Sequence, residues 1–305
     1  MNIILRRLFF LFFQIAIIFF ITNLLIFLTP GDPVDFLLGQ SVSQIDADTL
    51  RDFFGLNQTF FQQTINAFLR LLQFDFGLSF TQNKKVLDIV LPALKNTFYL
   101  GSFAVFLALT ISIPIGLYGV FREGYFFRKC TNFLTSLFIA LPNFILAPIL
   151  VLLFAVYLKI LPISGMDTIQ SIILPGLTLA IGLSCLLIRM LQECGDDYIG
   201  MDFIKLAKAK GLSLKKIYLI HLLRMILIPL VTVIGIHLGS LLTGAIITEV
   251  IFSWDGIGQL LITSIQQRDY PIIQASVFFI ATIYVVINFS TEIIYQLIDP
   301  RFKND

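Results

Sequence analysis

Side chains that could act as nucleophiles, bases or metal ligands are few and widely separated in this chain. The 305 residues include two histidines, His221 and His237, and three cysteines, Cys130, Cys185 and Cys194. The cysteines do not have the spacing of a zinc site, and the histidines are too far apart for an H-E-x-x-H motif. The sequence therefore predicts no catalytic residue and no metal ligand, and it favours buried, unreactive thiols.

A phosphate-binding loop is also absent from the sequence. The motif G-x-x-x-x-G-K-[ST] cradles phosphates with backbone N–H groups and a lysine, and no Gly-Lys pair occurs in the chain. We therefore expect no cofactor on this chain. Any energy input must come from another chain or from an ion gradient.

The polar segment 189–224 has the signals of a short helix followed by a turn and a second helix. Asp202 is predicted as the N-cap of the first helix and Gly211 as its C′ residue. Ser213 is then placed to cap the second helix. These signals predict a small projection on one side of the molecule.

The surface of this projection decides what it can bind. Leu206, Ala207 and Ala209 are interspersed with lysines, and we expect them to share one face. Small side chains allow a partner groove to approach closely, whereas the basic residues could equally contact lipid headgroups. Both interpretations stay open at this level.

The overall composition shows which kind of protein carries this segment. Hydrophobic residues make up 57% of the chain and charged residues 13%, with a net charge of +2, whereas soluble domains contain about 25% charged residues. This composition excludes a water-soluble globule and a nucleic-acid-binding domain, which would need clustered basic surface. It indicates a protein that crosses a membrane several times.

Six uncharged stretches are long enough to cross a bilayer, which requires about 20 apolar residues in a helix. Because backbone polar groups in lipid must be paired internally, we expect an all-α integral membrane protein with six transmembrane helices. The stretches are Leu8–Leu28, Asn96–Phe121, Cys130–Leu158, Thr168–Ile188, Met225–Thr248 and Tyr270–Thr291.

Basic residues predict the orientation. With the N-terminus inside, the cytoplasmic pieces 1–7, 122–129, 189–224 and the C-terminal tail hold 14 of the 21 lysines and arginines. We therefore predict that both termini are cytoplasmic. The predicted organisation is a first helix (1–28), an extracytoplasmic loop (29–95) and a five-helix core (96–305) that contains the segment 189–224.

The fifth stretch has the small residues of a helix-packing face. Gly235 and Gly239 form a GxxxG motif, and Gly244 extends the series. Glu249 follows at the outer end of this stretch, where a charge near membrane depth favours either a functional role or an anchor at the interface. We predict that these residues line a pathway through the membrane or pack its helices together.

Several motifs resemble one family of transport proteins. The segment from Asp202 to Gly211, followed by His221, is similar to the EAA-type cytoplasmic loop of ATP-binding-cassette (ABC) importer permeases. The variant resembles the dipeptide/oligopeptide/nickel subfamily, and the similarity extends over nearly the whole chain. Further landmarks in matching order are Leu28-Thr-Pro-Gly-Asp-Pro33, Phe76-Gly-Leu-Ser79, Leu161-Pro-Ile-Ser-Gly165, Glu249-Val-Ile-Phe-Ser-Trp254, Arg268-Asp-Tyr-Pro271 and Asp299-Pro-Arg301.

The resemblance implies a type I importer permease architecture in the cytoplasmic (inner) membrane. It implies a second, homologous permease subunit as heterodimer partner, two ABC ATPase subunits, and an extracytoplasmic solute-binding protein. The implied ATPase-coupling residues are Asp202, Ala207, Ala209, Gly211, Leu212 and His221, and the implied residues facing the binding protein are Asp32, Arg268 and Asp269.

Some residues depart from the family pattern. Lys205 and Leu206 replace the Glu and first Ala of the general EAA motif, and Met225 replaces an Asn common in the subfamily. The implied cargo is a peptide, nickel or a metal chelate. A secondary transporter or channel that works without ATPase partners is the alternative, although no internal repeat or membrane ion pair supports it.

Overall fold

A computed structural model describes residues 3–29, 34, 48–49, 51–52, 57–121, 125–199, 201–213, 216–217 and 223–298. In these ranges the chain is helical apart from loops and one isolated β-bridge between Leu78 and Lys85. The longer helices are α1 (Ile3–Leu28), α2 (Phe60–Leu72), α3 (Val86–Phe121), α4 (Tyr125–Ala140), α5 (Asn143–Leu150), α6 (Ile173–Ile199), α7 (Asp202–Ala209), α8 (Leu223–Phe252), α9 (Ile257–Gln267) and α10 (Tyr270–Ile298).

The described helices agree with a multi-pass membrane protein. Four of them are long and apolar enough to cross a bilayer, and the number rises to six if each of two bent helix pairs is counted as one span. The all-helical membrane class predicted from the sequence is therefore confirmed. The orientation predicted from the basic residues stays a prediction.

Helix α3 is longer than the predicted second span. It contains 36 residues and is about 54 Å long at 1.5 Å per residue, whereas a bilayer core is about 30 Å thick. The helix begins at Val86, ten residues before the predicted start at Asn96, and these added residues include Asp88 and Lys95. Charge and length together indicate that the first turns of α3 project beyond the hydrocarbon.

The predicted third span, Cys130–Leu158, is not one straight helix. Helix α4 ends at Ala140, and the chain bends by 107° before α5 and the π-helical segment Val151–Tyr157. Pro142 lies at the break with φ −63° and ψ 149°. Its ring and its missing N–H prevent the α4 hydrogen-bonding pattern from continuing, and Leu141 before it is disfavoured in the α region.

The predicted loop 189–224 is largely helical where it is described. Helix α6 continues to Ile199, so Arg189 lies inside a helix instead of at the start of a loop. Helix α7 then follows after a two-residue gap. The predicted span ends at Ile188 because Arg189 is charged and only uncharged stretches count as spans. A helix can, however, continue past the membrane boundary into water.

The chain forms two compact units. The first contains Met1–Thr97 and Asp255–Val285. Its core is formed by Val86 and Val90 of α3, Ile257 of α9, and Ile272 and Ala275 of α10. The Thr97 hydroxyl accepts a hydrogen bond from the Ile257 N–H (2.9 Å), which satisfies a free donor at the start of α9.

The second unit contains Phe98–Trp254 and Val286–Asp305. Helix α6 is its most buried element and packs against α4, α5 and α8. One of its apolar clusters also receives the short helix α7. Helix α7 therefore packs against a well-packed part of the second unit.

Candidate functional site

Helix α7 ends in the turn that the sequence predicted. Gly211 has φ +76°, a left-handed conformation that glycine adopts without the penalty of a Cβ atom. The Leu212 N–H donates to the Ala207 carbonyl (3.3 Å), which is the long bond of a Schellman motif. The prediction of Gly211 as the C′ residue is therefore confirmed.

The start of α7 differs from the prediction by one residue. Asp202 is the first helical residue and not the N-cap, because the Met201 carbonyl already accepts from the Lys205 N–H (3.3 Å). The Asp202 carboxylate accepts a hydrogen bond from the Lys205 ammonium (2.9 Å). A carboxylate in the first turn still interacts favourably with the helix dipole.

The turn after α7 also begins as expected. The Ser213 carbonyl accepts hydrogen bonds from the N–H groups of Lys216 (2.9 Å) and Ile217 (3.0 Å). These are the first bonds of a helical turn that starts at Ser213. The rest of the predicted second helix lies outside the described residues.

The two faces of α7 correct the prediction for Ala207. Ala207 and Ile204 are buried, with 7% and 1% exposure, whereas Leu206 is 57% exposed and Ala209 is also exposed. Residues three positions apart share a helix face, so Ala207 lies on the same buried face as Ile204. Ala207 and Ala209 therefore do not form one contact surface.

The buried face of α7 enters a cluster made by three long helices. Its partners are Leu117 and Val120 of α3, Leu191 of α6, and Ile226 and Leu230 of α8. Because α7 is only eight residues long, it would be marginal as an isolated helix. The cluster holds it in place and leaves its other face available.

Close approach of α3 and α6 supports this cluster, and the sequence analysis did not predict it. A Cβ atom on Gly195 would lie 2.5 Å from Val120, and one on Gly116 would lie 2.7 Å from Leu191. Any larger side chain at these positions would separate the helices. Gly116 and Gly119 lie three positions apart and so share a helix face, and this pair of glycines is a signal that could have identified the contact.

Helix α8 contains the predicted small-residue series. Gly235 is buried, and a Cβ atom on it would overlap Thr291 of α10, so α8 and α10 approach closely at this point. Gly239 is also buried, whereas the surroundings of Gly244 lie outside the description. Glu249 is fully buried in the last turn of α8, and a role for it in the pathway stays a prediction.

Asp269 is buried, which corrects its expected position on a surface that faces a binding protein. It has 0% exposure, and its Oδ2 accepts hydrogen bonds from the Ser79 hydroxyl (2.6 Å), the Thr81 hydroxyl (2.8 Å) and the Thr81 N–H (3.1 Å). Charged acceptors give the stronger hydrogen bonds. The residue ties the loop before α3 to the α9–α10 turn, where Arg268 adopts φ 55°.

Two predicted site residues, His221 and Asp32, lie outside the described residues. Within the described part of the chain, no group of three or more His, Cys, Asp and Glu side chains could hold a metal ion. All three cysteines are free thiols. Cys185 is buried as expected, but Cys130 is exposed, which corrects the expectation for that residue.

The family model for binding-protein-dependent transport system inner membrane components matches residues 108–304. The chain belongs to this family. The match includes α7, its supporting cluster and the small-residue series of α8. The protein is thus an inner-membrane permease subunit of an ABC-type importer, a transport system that depends on a binding protein.

Two relatives are similar over nearly their whole length. The permease is 29% identical over 316 residues to the dipeptide transport system permease protein DppB of Escherichia coli K12, covering 93% of each chain. It is 29% identical over 303 residues to the glutathione transport system permease protein GsiC of the same strain, covering 99% of each.

A solved structure shares the fold. The permease superposes on a chain of the inward-facing MetNI methionine ABC transporter with a TM-score of 0.58 and 17% identity. The match covers 70% of the permease and 97% of the MetNI chain. The type I importer permease fold implied by the sequence is therefore confirmed.

Proposed function

We propose that this permease forms half of the pathway of an ATP-driven peptide importer, paired with a second, similar permease. Both termini and α7 lie in the cytoplasm. ATP and magnesium are held by two ATPase subunits, and an extracytoplasmic solute-binding protein delivers the cargo. The basic residues of the short loops support the orientation, and the dipeptide and glutathione permeases support a peptide cargo.

One observation supports ATPase docking at α7 most directly. The helix buries Ile204 and Ala207 in the chain's own core, whereas Leu206 and Ala209 are exposed on the opposite side. Helix α7 is held firmly by its buried face and presents an exposed leucine beside a small residue. This surface suits insertion of α7 into an apolar groove of a partner. ATP-driven motion of that partner would then reach α3, α6 and α8 through the buried cluster.

The docking proposal is tested by substitution of Leu206. We expect Leu206→Asp to lower ATPase affinity by roughly 30-fold or more, as for a hot-spot residue, and to abolish uptake. Leu206→Met conserves volume and should keep both. Normal co-purification of the ATPases with Leu206→Asp would show that the exposed face of α7 is not the docking surface.

The cargo is tested separately by competition. Cells that depend on this permease should lose uptake of a labelled dipeptide when the chain is deleted, and unlabelled peptides should compete. The deletion should leave nickel uptake unchanged. Loss of nickel uptake with intact peptide uptake would overturn the peptide assignment without affecting the docking proposal.

A further inference from the structure

Helix α2 lies in the segment predicted as an extracytoplasmic loop, and one of its faces packs along α1. The Phe60 ring lies 5.7 Å from that of Phe20 and 5.2 Å from that of Phe27, and the Phe68 and Phe19 rings are 6.3 Å apart. Contacts at both ends of α2 show that it runs beside α1 instead of capping its end.

This packing carries α2 back along the first span. Phe19 precedes Leu28, the last residue of α1, by nine positions, or about 13 Å along a helix. Phe68 therefore contacts α1 well within the apolar stretch Phe9–Leu28, which is long and apolar enough to cross a bilayer.

A second face of α2 is apolar and uncovered. Phe61, Ile65, Leu69 and Leu72 are 70%, 57%, 53% and 58% exposed. Their spacing of four, four and three residues places them in one stripe along the helix. No residue of α2 is buried, and the described part of the chain leaves this stripe uncovered.

The third face of α2 is polar and borders a cavity, and Asn66 and Arg70 on it are exposed. Gln63, Asn66 and Arg70 line a cavity of about 550 Å³, to which Asn23 of α1 and Gln274 of α10 also contribute. The Gln274 side chain donates a hydrogen bond to Asn23 (2.8 Å) inside the same unit. The polar face of α2 therefore meets a polar cavity, whereas its apolar stripe is left uncovered.

The distribution of charge in α2 also fits a helix at a membrane. Arg70 is the only charged residue among the 13 of α2, and it lies in the last turn on the polar side. Polar and charged groups of membrane-embedded helices face the protein interior or an aqueous cavity. Amphipathic helices at a membrane direct their apolar face toward the acyl chains.

We propose that α2 is embedded in the bilayer beside α1, with Phe61, Ile65, Leu69 and Leu72 against lipid acyl chains. The stripe continues the exposed apolar surface of α1, where Phe20, Leu25 and Phe27 are more than two-fifths exposed. Lipid is the occupant that this shared surface favours. The loop 29–95 is therefore anchored in the membrane, in the leaflet set by the orientation proposed above.

The test uses tryptophan quenching in the assembled importer, reconstituted in bilayers with and without lipids brominated on the acyl chains. Leu69→Trp places the probe on the stripe, and Asn66→Trp places a matched probe on the polar face of the same helix. The wild type, whose single tryptophan Trp254 is buried, supplies the background.

We expect brominated lipid to remove most of the added Leu69→Trp emission and little of that from Asn66→Trp. Aqueous iodide should give the reverse order. Protection of the Leu69→Trp probe from both quenchers would indicate a protein partner, and quenching by iodide alone would indicate water. Either result would overturn the proposal, whereas peptide uptake by the same variants reports separately on the transport function.

Discussion

Helices α7 and α2 are short amphipathic helices that use their apolar residues in opposite ways. The eight residues of α7 place Ile204 and Ala207 in a cluster of the chain's own core, whereas none of the 13 residues of α2 is buried. One helix is held by its apolar face, and the other is held along one side and leaves its main apolar stripe exposed. Amphipathicity alone therefore does not identify what covers an apolar face.

The largest effect is expected from a charge on the buried side of α7. Ala207→Glu places an unpaired carboxylate in the apolar cluster, which should cost about 3–5 kcal/mol. We expect strongly reduced thermal stability of the purified permease and loss of uptake. Ala209→Glu is the matched control on the exposed side, and equal melting temperatures for the two variants would contradict the assignment of faces.

A charge on the stripe of α2 should have the next largest effect. Leu69→Asp would place a carboxylate against lipid at a cost of up to about 3 kcal/mol. We expect a lower melting temperature in bilayers, whereas Leu206→Asp on the exposed side of α7 should leave the melting temperature unchanged. Equal changes in melting temperature for Leu69→Asp and Leu206→Asp would contradict the proposed difference between the two helices.

The turn after α7 should show a smaller, purely conformational effect. No atom lies within 4 Å of a Cβ placed on Gly211, so only its φ of +76° opposes a side chain. Gly211→Val should cost about 1–2 kcal/mol. Gly211→Asn should recover most of the lost stability and uptake, because asparagine tolerates this conformation, and failure of that rescue would indicate a contact with a partner.

The smallest effect is expected from the exposed ion pair of α7. Lys205 and Asp202 have side chains that are 68% and 97% exposed, and such pairs contribute little because solvent screens them. Lys205→Ala should therefore leave both thermal stability and uptake within error of the wild type. A clear loss of uptake at unchanged stability would assign Lys205 to the docking surface.

Local chemistry explains where prediction from the sequence worked. The conformation of Gly211 depends on a few neighbouring residues, and the membrane class depends on composition and on the length of uncharged stretches. Pro142 interrupts the span predicted as Cys130–Leu158, but the 107° bend at this point depends on the packing of the helices on both sides. The uncharged stretch therefore indicated a membrane span and not the change of helix direction within it.

The sequence by itself determined that this chain is a helical membrane protein, where α7 ends and which family it resembles, since these depend on composition, turn residues and motif order. Tertiary structure alone decided that Ala207 faces inward and Ala209 outward. It also decided that Asp269 is enclosed by Ser79, 190 positions away in the chain. The physical reason is that burial depends on residues brought together from distant parts of the chain, and no local pattern specifies them.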